Sequence, residues 1–410
     1  MKSVYKIVIV GRPNDGKSSM FANFLGDDSV AVSPIPGETK QMCAREINLG
    51  EVSVEVVDTP GLQHPETVFF KFKEYAESGR NPAAAFVEEF RDPRFSHDAE
   101  IMKALGGADI CMLVANADNF FAHTQKCLLD TFSLLGSNTV VLGLINRSDA
   151  EFIGEWKSEF QSRGIESFEF DAFKTKFKDC AMLFERICAS SALRARSDLG
   201  GVLRSLKENR ASLWESNILA ASGEILNSLK DLMEMRSEAK MSEFSLLPEE
   251  RERLFADFSK SVSRFAASFR GEILRRFKYS GLRLKVPEFA PRRREARFVL
   301  PNFILRALAM LPLVRKPRAF CAADPKSGFP ARFVKNAAAF TRALVSFSYA
   351  QSATRECEVE FSEDGGGVPV DEESILKFAA RAAKGDDSDS FYGLQGMLKE
   401  KIARGIMRAM

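Results

Sequence analysis

Two short stretches near the start of the chain hold the residue types that handle phosphate. Residues 11–18 read Gly-Arg-Pro-Asn-Asp-Gly-Lys-Ser and fit G-x-x-x-x-G-K-[ST] at every fixed position. A loop of this kind turns successive backbone N–H groups inward toward phosphate oxygens, which its glycines permit by tolerating unusual dihedrals. Lys17 would span the β- and γ-phosphates, and the Ser18 hydroxyl would hold Mg²⁺. Gly11, Asn14, Asp15, Gly16 and Ser19 complete the expected nucleotide-binding cradle and the first helical turn behind it. The second stretch, Asp58-Thr59-Pro60-Gly61-Leu62, follows a β-branched run. Asp58 there would fix Mg²⁺ through water, and the Gly61 N–H would reach the γ-phosphate only while that phosphate is present. Between the two, residues 33–40 form a Pro/Gly loop in which Thr39 is the candidate second Mg²⁺ ligand. Lys17, Thr39 and Gly61 are thus candidate catalytic residues, and Ser18, Thr39 and Asp58 the candidate metal ligands.

A base is read further on. Asn146-Arg147-Ser148-Asp149 closes the buried run 139–145 (TVVLGLI). The Asp149 carboxylate can accept both the N1 and N2 protons of guanine; adenine lacks that donor pair and would leave it unpaired. Asn146 would tie this turn back to the phosphate loop. A last loop, which the family resemblance described below implies should meet the guanine oxygen with its backbone, has two candidates. Ser191-Ala192-Leu193 has the better letters, whereas Asp171-Ala172-Phe173 directly follows the strand-like run 166–170, 25 residues beyond Asn146. The loop must follow a strand, which favours Asp171 and Ala172.

These residues need a sheet to hold them. The runs 5–10, 52–57, 109–117, 139–145 and 166–170 are β-branched or apolar and bounded by turn residues, as buried strands are. Residues 18–25 and 174–190 have helical spacing. The expected fold is α/β, a three-layer P-loop architecture over residues 1–195 with a mostly parallel six-stranded sheet and the ligand at the strands' C-terminal ends. Eighty-four residues separate Gly61 from Asn146, more than one helix–strand–helix passage needs. The surplus, about 63–100, predicts a helical insertion where switch II begins, either moving with the γ-phosphate or purely structural.

From 196 to 410 the expectation is a mainly α-helical second domain. Residues 199–235 and 248–282 carry apolar side chains at three- and four-residue spacing. Residues 270–318 contain 14 basic and 3 acidic residues and enclose the apolar run 298–314. That run reads as a buried helix, as an interfacial helix at an anionic membrane surface, or as part of an RNA-binding face. Residues 358–370 predict a short hairpin or a disordered loop around three glycines, and the polar 384–390 separates the last two helices.

The composition sets the frame. The 410 residues are 45% hydrophobic and 28% charged, with net charge +2, which excludes a disordered or collagen-like chain. Up to Arg196 there are 22 basic against 28 acidic residues, so the back half is basic. Seven cysteines without a CxxC pair and three dispersed histidines exclude a disulfide framework and a zinc site. With an apolar N-terminal run shorter than a signal peptide's, the expected location is the cytoplasm, with peripheral membrane association left open.

The ordered set GRPNDGKSS, PGETK, VVDTPGL and LINRSD resembles the Era/TrmE-type branch of bacterial P-loop GTPases, in the translation-factor class, over roughly residues 4–190. The region after DTPGL resembles bacterial proteins that pair this domain with a C-terminal helical domain of unknown function. Those relatives carry a Gly/Ala-rich apolar stretch near the C-terminus, and this chain does not. The resemblance implies a GTP-binding and GTP-hydrolysing switch, with GTP/GDP as ligand, Mg²⁺ as cofactor and intrinsic turnover on the order of 10⁻⁴ to 10⁻² s⁻¹. TrmE-group relatives hold K⁺ partly through the P-loop asparagine, so the resemblance implies Asn14 as a further candidate catalytic residue, with K⁺ as a candidate cofactor. Candidate partners are RNA or a ribosomal subunit, an anionic membrane, and a second copy of the chain in the GTP state; a GTP-binding scaffold with little hydrolysis is the alternative. Three positions depart from the family pattern. Arg147 stands for lysine, and its stem can pack along the base equally well. Asp15 puts a carboxylate where relatives have a small or apolar residue. Leu62 replaces the water-orienting glutamine of Ras-like proteins.

Overall fold

The structure is a computed structural model that describes residues 3–28, 42–135, 138–147, 149–242, 248–279, 283–285, 294–295, 318–319, 329–347, 349, 358–360 and 370–408. The front of the chain builds one six-stranded sheet. Its strands are β1 (Ser3–Val10), β2 (Cys43–Asn48), β3 (Val52–Asp58), β4 (Ile110–Asn116), β5 (Val140–Asn146) and β6 (Glu166–Phe170), in the order β2-β3-β1-β4-β5-β6. β2 pairs antiparallel with β3; every other pairing is parallel. The parallel strands read as continuous apolar runs because helices cover both faces. Ile7–Val10 are fully buried, and β4 is buried from Ile110 through Ala115.

Helices α1 (Lys17–Leu25), α7 (Phe177–Cys188) and α8 (Ser191–Arg194) cover one face. Helices α2 (Pro65–Glu77), α3 (Pro82–Glu89), α4 (Ser96–Leu105), α5 (His123–Ser133) and α6 (Ile153–Ser162) cover the other. The surplus between Gly61 and Asn146 is helical: α2, α3, the 3₁₀ turn Pro93–Phe95 and α4. Val68, Phe72, Phe86, Ile101 and Met102 seat this insertion in the second-face core. Fully burying a side chain of that size contributes roughly 1.5–3 kcal/mol.

The 46-residue α9 (Ser197–Ser242) belongs to both parts. Leu199, Val202, Leu203 and Leu206 complete the first-face core of the sheet, whereas Ile218, Ile225, Leu229 and Met233 enter a separate helical core. That second core is finished by α10 (Pro248–Arg276), α11 (Phe329–Val345), α12 (Glu372–Ala382) and α13 (Asp389–Met407).

Three expectations change in detail. The second long helix ends at Arg276 rather than running to 282, because Lys278 adopts a left-handed conformation (φ 52°) and stops it. The helix expected at 174–190 begins at Phe177, since Lys174 and Thr175 are tied to Asp171. Of the segment 358–370, expected as a short hairpin or a disordered loop, the described Glu358–Glu360 form a three-residue strand paired in parallel with Arg283–Lys285, and 361–369 lie outside the described residues. The apolar run 298–314 lies outside the described residues.

Candidate nucleotide site

The phosphate loop is the turn between β1 and α1. Gly16 caps α1 at φ 98° with no side-chain cap hydrogen bond, so the N-terminal end of the helix opens directly onto the loop, as an anion site requires. Only glycine fits there: a Cβ on Gly16 would stand 2.4 Å from Asn146 Nδ2. Asn14 is likewise left-handed (φ 66°), a conformation its short polar side chain tolerates.

Lys17 is buried and its Nζ donates to the Arg12 carbonyl at 2.8 Å. Burial pushes this ammonium below its ordinary range, while Asp15 and Asp58 pull it back. Asp58, 1% exposed, accepts from Ser18 Oγ at 2.6 Å through Oδ2, while its Oδ1 is buried with no hydrogen-bond partner. Burial pushes this carboxyl up to about 6, against the Ser18 bond and the Lys17 charge. A hydroxyl and a half-satisfied buried carboxylate side by side form an oxygen donor set suited to a hard divalent cation. Ser18 and Asp58 therefore fit Mg²⁺. Thr39 and its loop 33–40 lie outside the described residues.

Asp15 resolves the tension noted in the sequence. Its Oδ2 turns onto the loop's own backbone and accepts the Arg12 N–H at 2.8 Å. Burial pushes it up to about 6, opposed by Lys17 first. Its carbonyl accepts Asn146 Nδ2 at 3.0 Å, so the base-reading turn is bolted to the phosphate loop.

The segment after Asp58 lies directly on that loop. Thr59 Oγ1 donates to the Ile9 carbonyl at 2.8 Å, and the Leu62 N–H to the Gly11 carbonyl at 3.0 Å. A Cβ on Gly61 would fall 2.3 Å from Pro13 N, so no larger residue allows this approach. Beyond it, Asp98 of α4, fully buried, accepts the Gln63 N–H at 2.8 Å and pairs with His64 Nδ1 at 2.7 Å. The insertion thus grips the start of its own segment.

At the base-reading end, Asn146 Oδ1 accepts the N–H groups of Arg147 (3.0 Å) and Ala172 (3.1 Å). Arg147 (φ 69°) lays its guanidinium over the Phe173 ring at 4.2 Å and contacts Asp118 at 3.3 Å. Asp149 is exposed and accepts Lys174 Nζ at 2.6 Å, which holds its carboxyl below the ordinary range. Asp171 folds onto the N–H groups of Phe173 (3.0 Å) and Lys174 (3.1 Å). Ser191, the other candidate loop, bonds Glu166, the first residue of β6, at the opposite end of the sheet. The structure therefore brings Asp171 and Ala172 to Asn146 and leaves Ser191 away.

Ser19 is buried in α1, and its carbonyl accepts from Asn23 Nδ2, which also donates to the Ala172 carbonyl at 3.1 Å. Asn23, Asp98 and Lys174 escaped the sequence reading. Only Lys174, three residues beyond Asp171, carried a local signal. Among the described residues no group of three His, Cys, Asp or Glu could hold a metal ion, so a cation here rests on Ser18 and Asp58.

A mostly parallel sheet, an uncapped loop–helix junction holding Lys17, and Asp58 at the end of the neighbouring strand define a P-loop GTPase domain. Comparison with known proteins gives the branch. Residues 6–130 match the family described as 50S ribosome-binding GTPase. The chain is 32% identical over 123 residues to the tRNA modification GTPase MnmE of Heliobacterium modesticaldum, covering 29% of this chain and 26% of that protein. To GTPase Der of Fusobacterium nucleatum it is 36% identical over 134 residues, covering 31% and 30%. Over this stretch the front domain is similar to GTPases of the Era/TrmE type. The chain spans about a quarter to a third of the length of these curated relatives. A solved structure of Era in complex with MgGDPNP and nucleotides 1506–1542 of 16S ribosomal RNA covers 46% of this chain and 56% of that one, at 21% identity. Its TM-score is 0.32, a likeness too low to carry a conclusion.

Proposed function

We propose that the chain binds guanine nucleotide, hydrolyses GTP, and uses the presence of the terminal phosphate to govern association with RNA, as a ribosome-associated switch. The observation that carries this reading is the pair of buried residues Lys17 and Asp58, with Ser18 bonded to Asp58, beside the start of α1. In it, Mg²⁺ held by Ser18 and Asp58, with Thr39 as the further candidate ligand, would neutralise phosphate charge. Lys17 and the loop N–H groups would bind and orient the β- and γ-phosphates, and the Gly61 N–H would sense the last of them. Asp149 would select guanine, with Arg147 along the base and the Asp171–Ala172 loop beside its oxygen. Leu62, buried at 1% exposure, offers no polar atom to an attacking water. Asn14 would help seat a monovalent cation between the β- and γ-phosphates.

RNA is favoured as the partner by the basic 270–318 stretch, 14 basic against 3 acidic residues, and by the family description over residues 6–130. No helix among the described residues is long and apolar enough to cross a membrane. The test is phosphate release from GTP together with co-sedimentation with ribosomal subunits or anionic liposomes, at two salt concentrations and with each nucleotide. Salt-sensitive, nucleotide-dependent sedimentation with subunits is expected. Sedimentation with liposomes alone overturns the RNA reading, and nucleotide binding without phosphate release overturns hydrolysis.

A further inference from the structure

Two carboxylates meet where the base would be read. Asp149 is exposed on the turn after β5, and Asp171, 6% exposed, opens the loop after β6. One ammonium reaches both: Lys174 Nζ donates to Asp149 Oδ2 at 2.6 Å and stands 3.8 Å from Asp171 Oδ2. That Asp171 oxygen is buried and makes no hydrogen bond. Arg147, the other cation nearby, is engaged elsewhere, stacked on Phe173 at 4.2 Å and paired with Asp118 at 3.3 Å. Among the described residues, Lys174 is therefore the one cation paired with either carboxylate.

The chain fixes this lysine locally. Asp171 Oδ1 accepts the N–H groups of Phe173 (3.0 Å) and Lys174 (3.1 Å), and the Asp171 carbonyl accepts those of Lys174 (3.2 Å) and Thr175 (2.9 Å). Thr175 is buried and returns its hydroxyl to the same carbonyl. The turn 171–175 is thus closed on Asp171, and the Ala172 N–H ties it to Asn146 at 3.1 Å. From this turn the Lys174 side chain reaches back to Asp149, 25 residues earlier in the chain.

The arrangement has a chemical consequence. Reading guanine requires both Asp149 oxygens to accept at once, from N1 and N2, so the carboxyl must be ionised and its plane fixed. An exposed turn does not fix the plane, and a second carboxylate close by favours protonation. Lys174 answers both. Its charge and hydrogen bond hold the Asp149 carboxyl below the ordinary range. The bonded oxygen keeps a further lone pair for a proton of the base.

We propose that Lys174 is a positioning residue for base selection: set between Asp149 and Asp171, it holds the Asp149 carboxylate as the charged, oriented double acceptor that the guanine N1 and N2 protons require. This rests on the guanine-nucleotide reading above. The Asp149 and Lys174 side chains are 68% and 66% exposed, so the effect is modest and screened by salt.

Titration of the full chain with fluorescently labelled GDP and inosine diphosphate, in the presence of Mg²⁺, tests this. Inosine keeps the N1 proton and lacks the N2 amino group, so the ratio of the two affinities reports on the double acceptor separately from the phosphates. The parent chain should prefer GDP by about tenfold or more, as a hydrogen bond to a charged group allows. Lys174→Met should weaken GDP binding about three- to fivefold, the upper range for one exposed pair, and inosine diphosphate less than about twofold. Lys174→Arg keeps the charge and should keep most of the preference. Adding Asp171→Asn to Lys174→Met removes the facing charge and should return part of what was lost. An unchanged preference in Lys174→Met, or an equal loss for both nucleotides, overturns the proposal. So does tighter GDP binding, which would make Lys174 a competitor of the base. A parent chain that retains no GDP overturns the guanine reading itself, and with it the role of Lys174.

Discussion

The two halves of the molecule bury polar groups for opposite purposes. At the C-terminal ends of the front strands lie Asp15, Lys17, Asp58 and Asn146, all buried, with two carboxyls raised by desolvation and one ammonium lowered by it. Behind Arg210, the buried polar residues described in the helical half are Ser222 and Thr341, each returning its hydroxyl to a carbonyl one turn back in its own helix. The front half keeps charge in low dielectric at a cost to its own stability, which an anionic ligand and a cation would offset. The helical core has no such arrangement. Among the described residues, the buried charges with shifted ionisation converge at the site, and the helical core is packed mainly with apolar side chains.

Several substitutions would sharpen or break this contrast. Lys17→Ala should weaken guanine-nucleotide binding on the order of a thousandfold, about 4 kcal/mol, with the melting temperature unchanged or raised, as read by fluorescent-nucleotide titration. Ile225→Ala, in the helical core, should do the reverse. It should cost roughly 2–5 kcal/mol in denaturant unfolding and leave nucleotide affinity unaltered. Asp149→Asn should lower guanine affinity about 10–100-fold, because one acceptor of the guanine N1/N2 pair becomes a donor. A comparable loss for adenine would mean that Asp149 does not read the base.

Asp15→Asn should have the smallest effect, and one whose size depends on pH. A carboxyl raised to about 6 in the folded chain favours folding while protonated. Its contribution is therefore full below the unfolded value near 4 and is lost as pH rises through about 6. The neutral amide keeps an acceptor for the Arg12 N–H, so ligand-free Asp15→Asn should be more stable than the parent at pH 7.5 by about 1–3 kcal/mol. The gain should vanish near pH 4. Equal stability at both pH values would show that Asp15 ionises without penalty.

The phosphate loop was legible because its chemistry needs fixed residue types at fixed spacing, and the strand before it is a plain apolar run. How Asp15 is accommodated was not legible, since the Asn146 bond that fixes its backbone comes from 131 residues away. The grip of Asp98 on Gln63 and His64 was hidden for the same reason, at a separation of 35 and 34 residues. The two candidates for the last base-contacting loop could be separated only by position, and the Ser191–Glu166 bond places the better-lettered one at the wrong end of β6. In the helical half, three- and four-residue periodicity marked the long helices, but not where they stop. The left-handed Lys278 ends α10, and the parallel pairing of Glu358–Glu360 with Arg283–Lys285 joins segments that carry no local sign of each other.

Retention of labelled guanine nucleotide by the purified full chain in the presence of Mg²⁺, challenged with excess ATP, bears most directly on the site. Micromolar or tighter binding that ATP fails to displace and that Lys17→Ala abolishes is the expected result. No retention, or displacement by ATP as effective as by GTP, would contradict a magnesium–guanine nucleotide site at the ends of the front strands.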